Sequence, residues 1–322
     1  MTDSSREPEG FVRTILGDVP PSSLGAIDYH EHLFQVTRLL PGDELDDEEK
    51  SAEEAGLLRK AGIGCMVEAT PIGLGRHPAA VARISRSVGL HVVHTTGAHH
   101  GGHYPPDHPL LSESEQELSR RFTGEIVHGF ALDDAALGYR AGVVKAGIGY
   151  WLIPPFERRV LAALARTVIV TGAPAMIHLE HGSAAHEVLD VLEADGVPAD
   201  SIVLAHVDRN LDPGLHRSLA ERGAYLGYDG AARHRDAPDS AIIDCLSRVV
   251  ESEAGRARVV LGGDVARASR YRSYGGLPGL DYLPRRFFPR VRAAIGEPLT
   301  SRLTDVNPGR WLTFHSTAPA EV

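Results

Sequence analysis

The sequence contains little cysteine and no long hydrophobic run. Cys65 and Cys245 are the two cysteines among 322 residues, so a disulfide framework is excluded and a reducing compartment is expected. No stretch of about 18 uninterrupted apolar residues is present, and residues 1–10 lack the basic start and apolar run of a signal peptide. We therefore expect a cytoplasmic protein that does not cross a membrane.

Positive charge is also scarce. The chain carries 33 lysine and arginine residues against 43 aspartates and glutamates, which gives a formal net charge of −10. This imbalance argues against a nucleic-acid-binding surface and against binding to an acidic membrane. The remaining composition, 43% hydrophobic and 24% charged, is that of an ordinary folded protein. The expected partner is a small-molecule substrate.

Short apolar runs alternate with segments of helical spacing along most of the chain. Eight runs have the length of buried strands, and they cover residues 25–30, 63–70, 90–97, 141–148, 174–180, 202–208, 224–230 and 258–264. The segments between them predict helices over residues 46–61, 78–88, 112–128, 156–171, 184–195, 213–222 and 240–254. Eight β-α units in about 250 residues are typical of an α/β fold closed as a (β/α)₈ TIM barrel.

An open, doubly wound sheet is the alternative fold. That fold usually places a glycine-rich phosphate-binding turn after its first strand, whereas here the first strand ends in His30-Glu31-His32. No linker-like segment divides the chain. We therefore predict a single TIM-barrel domain over residues 1–322, with loose tails at residues 1–15 and 316–322.

The residues at the ends of the predicted strands carry the functional information, because the loops that follow barrel strands form the active site. Of the 17 histidines, several lie at these ends. Taken in chain order, the polar residues there are His30, His32, Glu68, Thr96, Lys145, His178, His206, Asp229 and Asp264. Imidazole and carboxylate groups together are typical metal ligands.

His30 and His32 are two residues apart, so an extended strand places them on one side at a Cα separation of about 6.5 Å. The alternative is a hydrogen-bonded histidine pair without a metal. His178 and His206 each end a separate strand, and burying four imidazoles without partners would be costly. Asp264 ends the eighth strand, which neighbours the first in a closed barrel, and its alternative role is a helix N-cap. Convergence of these residues predicts a metal site.

Lys145 follows three residues of an apolar strand, where an ammonium group carries a desolvation cost. A neutral amine there can react with carbon dioxide to form a carbamate, an anionic ligand with two oxygens. The alternative is a lysine that forms a salt bridge with Glu68 or Asp264.

The ordered set of motifs resembles the phosphotriesterase-related family of the amidohydrolase superfamily, whose members are binuclear metal hydrolases. The resemblance extends from Leu16 to about Phe314. It rests on His30-Glu31-His32, the segment Gly142-Val143-Val144-Lys145, His178, His206 with Val207-Asp208, Asp264, and the C-terminal Asn307-Pro308-Gly309-Arg310.

The resemblance implies a role for each matching residue. His30, His32 and Asp264 would hold the more buried of two divalent metals, His178 and His206 the more exposed one, and N6-carboxylated Lys145 and a hydroxide would bridge both. Two cations activate water and polarise an acceptor oxygen, and Asp264 would accept the proton during attack. The ligands favour zinc, with manganese, cobalt or iron as alternatives. The resemblance also suggests a homodimer.

Two positions depart from the phosphotriesterases themselves. Their proton relay uses a histidine after the seventh-strand aspartate and an acid after the sixth-strand histidine, where this chain has Gly230 and Arg209. The chain instead resembles the less characterised homologues of the family, and that resemblance implies hydrolysis of a lactone or carboxylic ester. A phosphotriester or an N-acyl amide is the alternative substrate, and a metal-binding barrel without turnover is an alternative of another class.

Two loops supply candidates for substrate binding. His99, His100 and Tyr104 follow the third strand, and Arg267, Arg270 and Tyr271 follow Asp264. Guanidinium groups bind carboxylates and phosphates in a bidentate manner, which suggests an anionic group on the substrate. The alternatives are loop histidines that contact only water and arginines that pair with the acidic surface. Arg233 and His234 in the seventh loop have the same ambiguity.

Overall fold

Eight parallel strands form the centre of the fold in a computed structural model that describes residues 10–132 and 135–315. They are β1 (Ala26–Glu31), β2 (Ile63–Glu68), β3 (His91–Gly97), β4 (Val143–Ile148), β5 (Ala175–Leu179), β6 (Ile202–Ala205), β7 (Tyr225–Tyr228) and β8 (Val259–Leu261). Each strand pairs with the next one in chain order. The amide of Asp264 donates to the carbonyl of His30 at 2.8 Å, which joins the end of β8 to β1. The predicted (β/α)₈ barrel is confirmed.

Helices separate successive strands, as the sequence predicted. The helices are α1 (Glu48–Lys60), α2 (Pro78–Val88), α3 (Glu115–Val127), α4 (Pro155–Thr171), α5 (Ala185–Ala194), α6 (Pro213–Glu221), α7 (Asp239–Val249), α8 (Glu253–Arg258), α9 (Phe288–Ile295), α10 (Glu297–Ser301) and α11 (Asn307–Leu312). The single helix predicted over residues 240–254 is two helices. Ser252 interrupts it, because its hydroxyl accepts from the amide of Gly255 at 3.0 Å and starts α8.

The N-terminal segment is more ordered than predicted. Val12–Thr14 pairs antiparallel with Gly17–Val19, and Val12 is fully buried. The expected loose tail over residues 1–15 is therefore wrong for residues 12–15, while residues 1–9 and the tail at 316–322 lie outside the described residues. A second short ribbon pairs Ala131–Leu132 with Ala135–Ala136.

Two apolar layers position the site. Side chains such as Ile27, Val67, Val93 and Met176 fill the inside of the barrel, and a larger cluster packs the helices against the outside of the sheet. Trp311 closes the end at which the strands begin, where its indole donates to the carbonyl of Ala175 at 3.2 Å. The open end is therefore the one at which the strands finish and the polar residues gather. Among the described helices, none combines the length and apolar character that a bilayer span requires.

Candidate metal centre

The first group of predicted ligands lies where β1 and β8 end. The Oδ1 atom of Asp264 is 3.7 Å from Nε2 of His30 and 3.7 Å from Nε2 of His32. All three residues are buried, and their ligand atoms lie within 4.8 Å of one another. A register shift between Asp28 and Glu31 interrupts the pairing of β1 just before these histidines. The structure thus brings His30, His32 and Asp264 together.

The hydrogen bonds of these histidines leave their Nε2 atoms free for a cation. His30 Nδ1 lies 3.1 Å from a carboxylate oxygen of Asp229, and His32 Nδ1 lies 2.6 Å from the hydroxyl of Thr70, which itself donates to the carbonyl of Phe34. Both Nδ1 atoms therefore carry the proton, and both Nε2 atoms have a lone pair. His30 Nε2 is buried and has no hydrogen-bond partner among the described residues. A cation satisfies such an atom, so the residues fit a metal.

The second pair of predicted ligands lies across the mouth on β5 and after β6. Nδ1 of His178 and Nε2 of His206 face each other at 2.8 Å. The opposite nitrogens are engaged, since His178 Nε2 is 3.1 Å from Glu180 and His206 Nδ1 is 2.7 Å from Asp229. The hydrogen bond with His178, against the opposing effect of burial, lowers the pKa of Glu180 to about 2. The facing nitrogens thus lie at hydrogen-bond distance, on the two side chains that the resemblance assigns to one cation.

Asp229 connects the two groups, and the sequence reasoning gave it no role. One carboxylate oxygen contacts His30 and the other contacts His206, while the hydroxyl of Tyr29 also donates to it. Burial alone would raise its pKa, but the adjacent His206 holds the pKa well below the usual value. Carboxylates that accept from the outer nitrogen of a ligand histidine fix its orientation and proton position. The signal available in the sequence was the place of Asp229 at the end of β7.

Lys145 points into the barrel from β4. Its ammonium donates to the carbonyl of Ala69 at 2.8 Å, and no carboxylate of the described residues lies within 4.0 Å of it. The alternative salt bridge with Glu68 or Asp264 is therefore absent from this structure, and Glu68 instead accepts from the amide of Thr70 at 3.2 Å. Burial lowers the pKa of Lys145 to about 8, against the attraction of Asp264. At mildly alkaline pH a substantial fraction of Lys145 is therefore the neutral amine, which is the form that reacts with carbon dioxide.

Two arginines contact the other oxygen of Asp264. Arg209, which marks a departure from the phosphotriesterases, has Nη2 at 3.0 Å from Oδ2, and Arg233 donates to the same atom. Burial alone would raise the pKa of Asp264, but Arg233 holds it well below the usual value. The alternative role of Asp264 as a helix N-cap is wrong, because no helix begins there. Oδ1 of Asp264 therefore faces His30 and His32, whereas its Oδ2 accepts hydrogen bonds from the two arginines.

The loop after β3 brings three histidines beside His178. The ring centroid of His99 lies 4.3 Å from that of His178 and 3.7 Å from that of His103. Burial, together with the positive charge that His103 would carry, lowers the pKa of His99 well below the usual value, so the ring is neutral. Its Nδ1 accepts from the amide of His100 at 2.9 Å, which leaves the proton on Nε2. His99 is thus a hydrogen-bond donor next to the second group of ligands.

Two tyrosines predicted to contact substrate have another role. Tyr104 is buried, and its hydroxyl accepts from the amide of His99 at 2.9 Å and donates to the carbonyl of Ile72. Tyr271 is fully buried, and its hydroxyl donates to the carbonyl of His32. Neither hydroxyl faces open space. We therefore correct the expected substrate contact of Tyr104 and Tyr271 to support of the neighbouring histidines.

The predicted loop arginines are divided between the surface and the site. Arg267 is half-exposed and lies 3.9 Å from Asp43, which matches the alternative of pairing with the acidic surface. Arg270 is more enclosed, and its guanidinium donates to the carbonyl of Ala232 at 3.2 Å. Burial and the charge of Arg233 lower the pKa of Arg270 to about 10. Arg270 is thus the member of this pair that lies near the site.

Histidines and aspartates that meet at the strand ends of a barrel are typical of a metal-dependent hydrolase. The family model described as the phosphotriesterase family matches residues 10–312. This chain belongs to that family.

The relatives are similar over nearly their full length. A phospho-furanose lactonase of Mycoplasmopsis synoviae is 28% identical over 94% of this chain and 92% of its own, and an N-acetyltaurine hydrolase of Danio rerio is 27% identical over 96% and 99%. The crystal structure of a lactonase from Listeria monocytogenes matches with a TM-score of 0.88. The two sequences are 31% identical, and the match covers 95% of this chain and 100% of the lactonase. The family prediction is confirmed.

Proposed function

We propose that this chain hydrolyses a lactone or carboxylic ester with two divalent cations, zinc first, and that Lys145 serves as a carbamate ligand. His30, His32 and Asp264 would hold one cation, and His178 and His206 the other. The observation that carries the proposal is the buried group of His30, His32 and Asp264, to which the carboxylate of Asp229 links His206. Lys145 Nζ would attack carbon dioxide and release one proton, forming a carbamate.

The bound cations would supply Lewis acidity, which lowers the pKa of water and polarises the ester carbonyl. The protein's own part is to keep the ligands in the correct protonation state. Asp229 and Thr70 hold protons on the outer nitrogens, and Arg209 and Arg233 keep Asp264 ionised. For Asp264 to accept a proton at Oδ2, an arginine must leave that oxygen. His99 Nε2 would donate to a substrate oxygen beside His178.

We propose further that the substrate carries an anionic group. Arg209 and Arg233 share one carboxylate oxygen, and the Nε atom of each is buried without a partner among the described residues. Arg209 also lines an open cavity beside the site, so an incoming phosphate or carboxylate can hydrogen-bond to its guanidinium. The lactonase from Mycoplasmopsis synoviae is named for phosphorylated furanose substrates. Arg270 adds a third positive charge nearby.

The test is a hydrolysis assay on protein stripped with a chelator and reloaded with zinc. Matched γ-lactones with and without a phosphate group, a simple carboxylic ester, an N-acyl amide and a phosphotriester form the panel. We expect about two equivalents of zinc and chelator-sensitive turnover, fastest on the phosphorylated lactone. Arg209→Gln should raise KM about tenfold for the phosphorylated lactone only, whereas kcat should fall for both lactones because Arg209 also contacts Asp264. Fully zinc-loaded protein without turnover on any ester would overturn the proposal, and fastest turnover of the amide would change the substrate class.

A further inference from the structure

A cavity of about 670 Å³ opens beside the metal centre, between the loops that follow β4, β5 and β6. Three of its lining residues are aromatic, Tyr150, Trp151 and His181, and form what we call the aromatic wall; Glu180, Arg209 and Asn210 also line the cavity. The cavity adjoins the predicted ligands, because its lining residue Glu180 contacts His178 and its lining residue Arg209 contacts Asp264. A substrate whose reacting group lies at those ligands would have this space next to it.

The aromatic wall is exposed although the chain has few aromatic residues. Tyr150 is 63% exposed and Trp151 is 59% exposed, whereas the second tryptophan, Trp311, is fully buried. The wall is nevertheless held in place. The amide of Trp151 donates to the hydroxyl of Ser183 at 3.0 Å, and the rings of Tyr150 and His181 meet edge to face at 5.9 Å. Exposed aromatic rings that the backbone fixes form a ready surface for a ligand.

Backbone strain provides an independent indication. Trp151 has a φ of 50° and His181 a φ of 53°, in the left-handed region that residues with a side chain rarely adopt. All the non-glycine residues with such φ angles in the described ranges follow strands β4 to β8 at this mouth, including the predicted ligands His206 and Asp264. Strained residues cluster at functional sites because the surrounding structure must hold them there. Trp151 and His181 share this feature with the metal ligands.

We propose that Tyr150, Trp151 and His181 form a specificity subsite that holds a carbon-rich ring of the substrate, stacked on Trp151. The inference rests on the proposed function, since it places the reacting ester at the metal centre. A ring fits better than a flexible chain, because flat aromatic faces bury its surface with little loss of side-chain freedom. Glu180 and Asn210 line the same cavity, where they hydrogen-bond polar substituents on the ring edge.

The experiment compares two phosphonates that differ only by a ring. Phenylphosphonate and methylphosphonate are titrated calorimetrically into the zinc-loaded protein, its Trp151→Ala and Trp151→Phe variants, and Leu152→Ala as a matched control. Leu152 is 59% exposed next to Trp151 but does not line the cavity. We expect phenylphosphonate to bind about tenfold more tightly than methylphosphonate in the parent, in Leu152→Ala and in Trp151→Phe, and the ratio to fall to about one in Trp151→Ala.

Fluorescence gives a second readout, since Trp151 is the exposed one of two tryptophans. Acrylamide should quench it in the free protein, and phenylphosphonate should protect it. Equal binding of the two phosphonates to the parent overturns the subsite but leaves the proposed function standing. Failure of both phosphonates to bind overturns both proposals. Shielding of Trp151 in the free protein at concentrations where sedimentation shows a dimer also overturns the subsite, because a second copy of the chain then covers the wall.

Discussion

The floor and the rim of the barrel mouth are built differently. On the floor, His30 and Lys145 come from strands and His32 directly follows one; all three are buried and have hydrogen bonds that fix their donor atoms. On the rim, Trp151 and His181 come from loops and are largely open to solvent. The floor can hold a reaction geometry rigidly, while the rim can vary without disturbing it. Substitutions on the floor should therefore change catalysis, and substitutions on the rim should change substrate choice.

The largest effect is expected from the floor residue Lys145. Lys145→Ala removes the proposed carbamate and should lower kcat/KM by more than about 100-fold, because even the outer partners of metal ligands contribute 10- to 100-fold. Short carboxylic acids such as propionate should restore part of the activity by occupying the vacated space. The exposed Lys60 provides the control, and Lys60→Ala should behave as the parent does. Unchanged turnover of Lys145→Ala would remove this residue from the mechanism.

The next effect concerns the carboxylate that both histidine pairs share. Asp229→Asn keeps the shape but can no longer accept from both His30 and His206, so zinc affinity should fall about 10- to 100-fold. Competitive titration with a chromophoric chelator measures it. Asp244→Asn changes an exposed acid on α7, away from the site, and serves as the control. If the affinity for only one of the two zinc ions falls, Asp229 supports only one of the two histidine pairs, and the prediction that it supports both is wrong.

A pH effect on assembly should follow from the buried lysine. With the pKa of Lys145 at about 8, the neutral amine rises from roughly 3% at pH 6.5 to roughly 75% at pH 8.5. At a fixed partial pressure of carbon dioxide, metal-free protein should therefore regain activity about 25-fold faster at the higher pH once zinc is added. The sign follows because only the neutral form attacks carbon dioxide. Equal rates at the two pH values would argue against carbamate formation as the limiting step.

The difference between floor and rim also explains what the sequence could predict. Apolar runs located all eight strands, and because each run ends at the same edge of the barrel, His30, His178 and Asp264 could be placed there before any coordinates. The sequence placed Asp229 at the end of a strand, but its contacts with His30 and His206 depend on the closure of the barrel. Contacts across the mouth depend on loop conformations that local periodicity does not encode.

The loop residues illustrate this limit. Arg209 looked only like a departure from a family pattern, yet it contacts Asp264 at 3.0 Å. Trp151 carried no motif, and its exposure and left-handed backbone appear only in the folded chain. Tyr271 was wrongly expected to contact the substrate because its position near Asp264 in the sequence says nothing about the direction of its ring.

The smallest expected effect tests the corrected role of Tyr271. This tyrosine belongs to the loop after β8, but its side chain is buried against the floor residue His32. Tyr271→Phe removes a hydroxyl that donates to the carbonyl of His32 and should cost about 1 kcal/mol of stability, measured from the urea unfolding midpoint. Tyr274→Phe, which loses a contact with the amide of Asp47, is the control with a similar cost. Both variants should keep KM within about twofold of the parent, since neither hydroxyl reaches the cavity. A rise in KM for Tyr271→Phe alone would show that this tyrosine contacts the substrate, and the division of the mouth into floor and rim would then not hold for it.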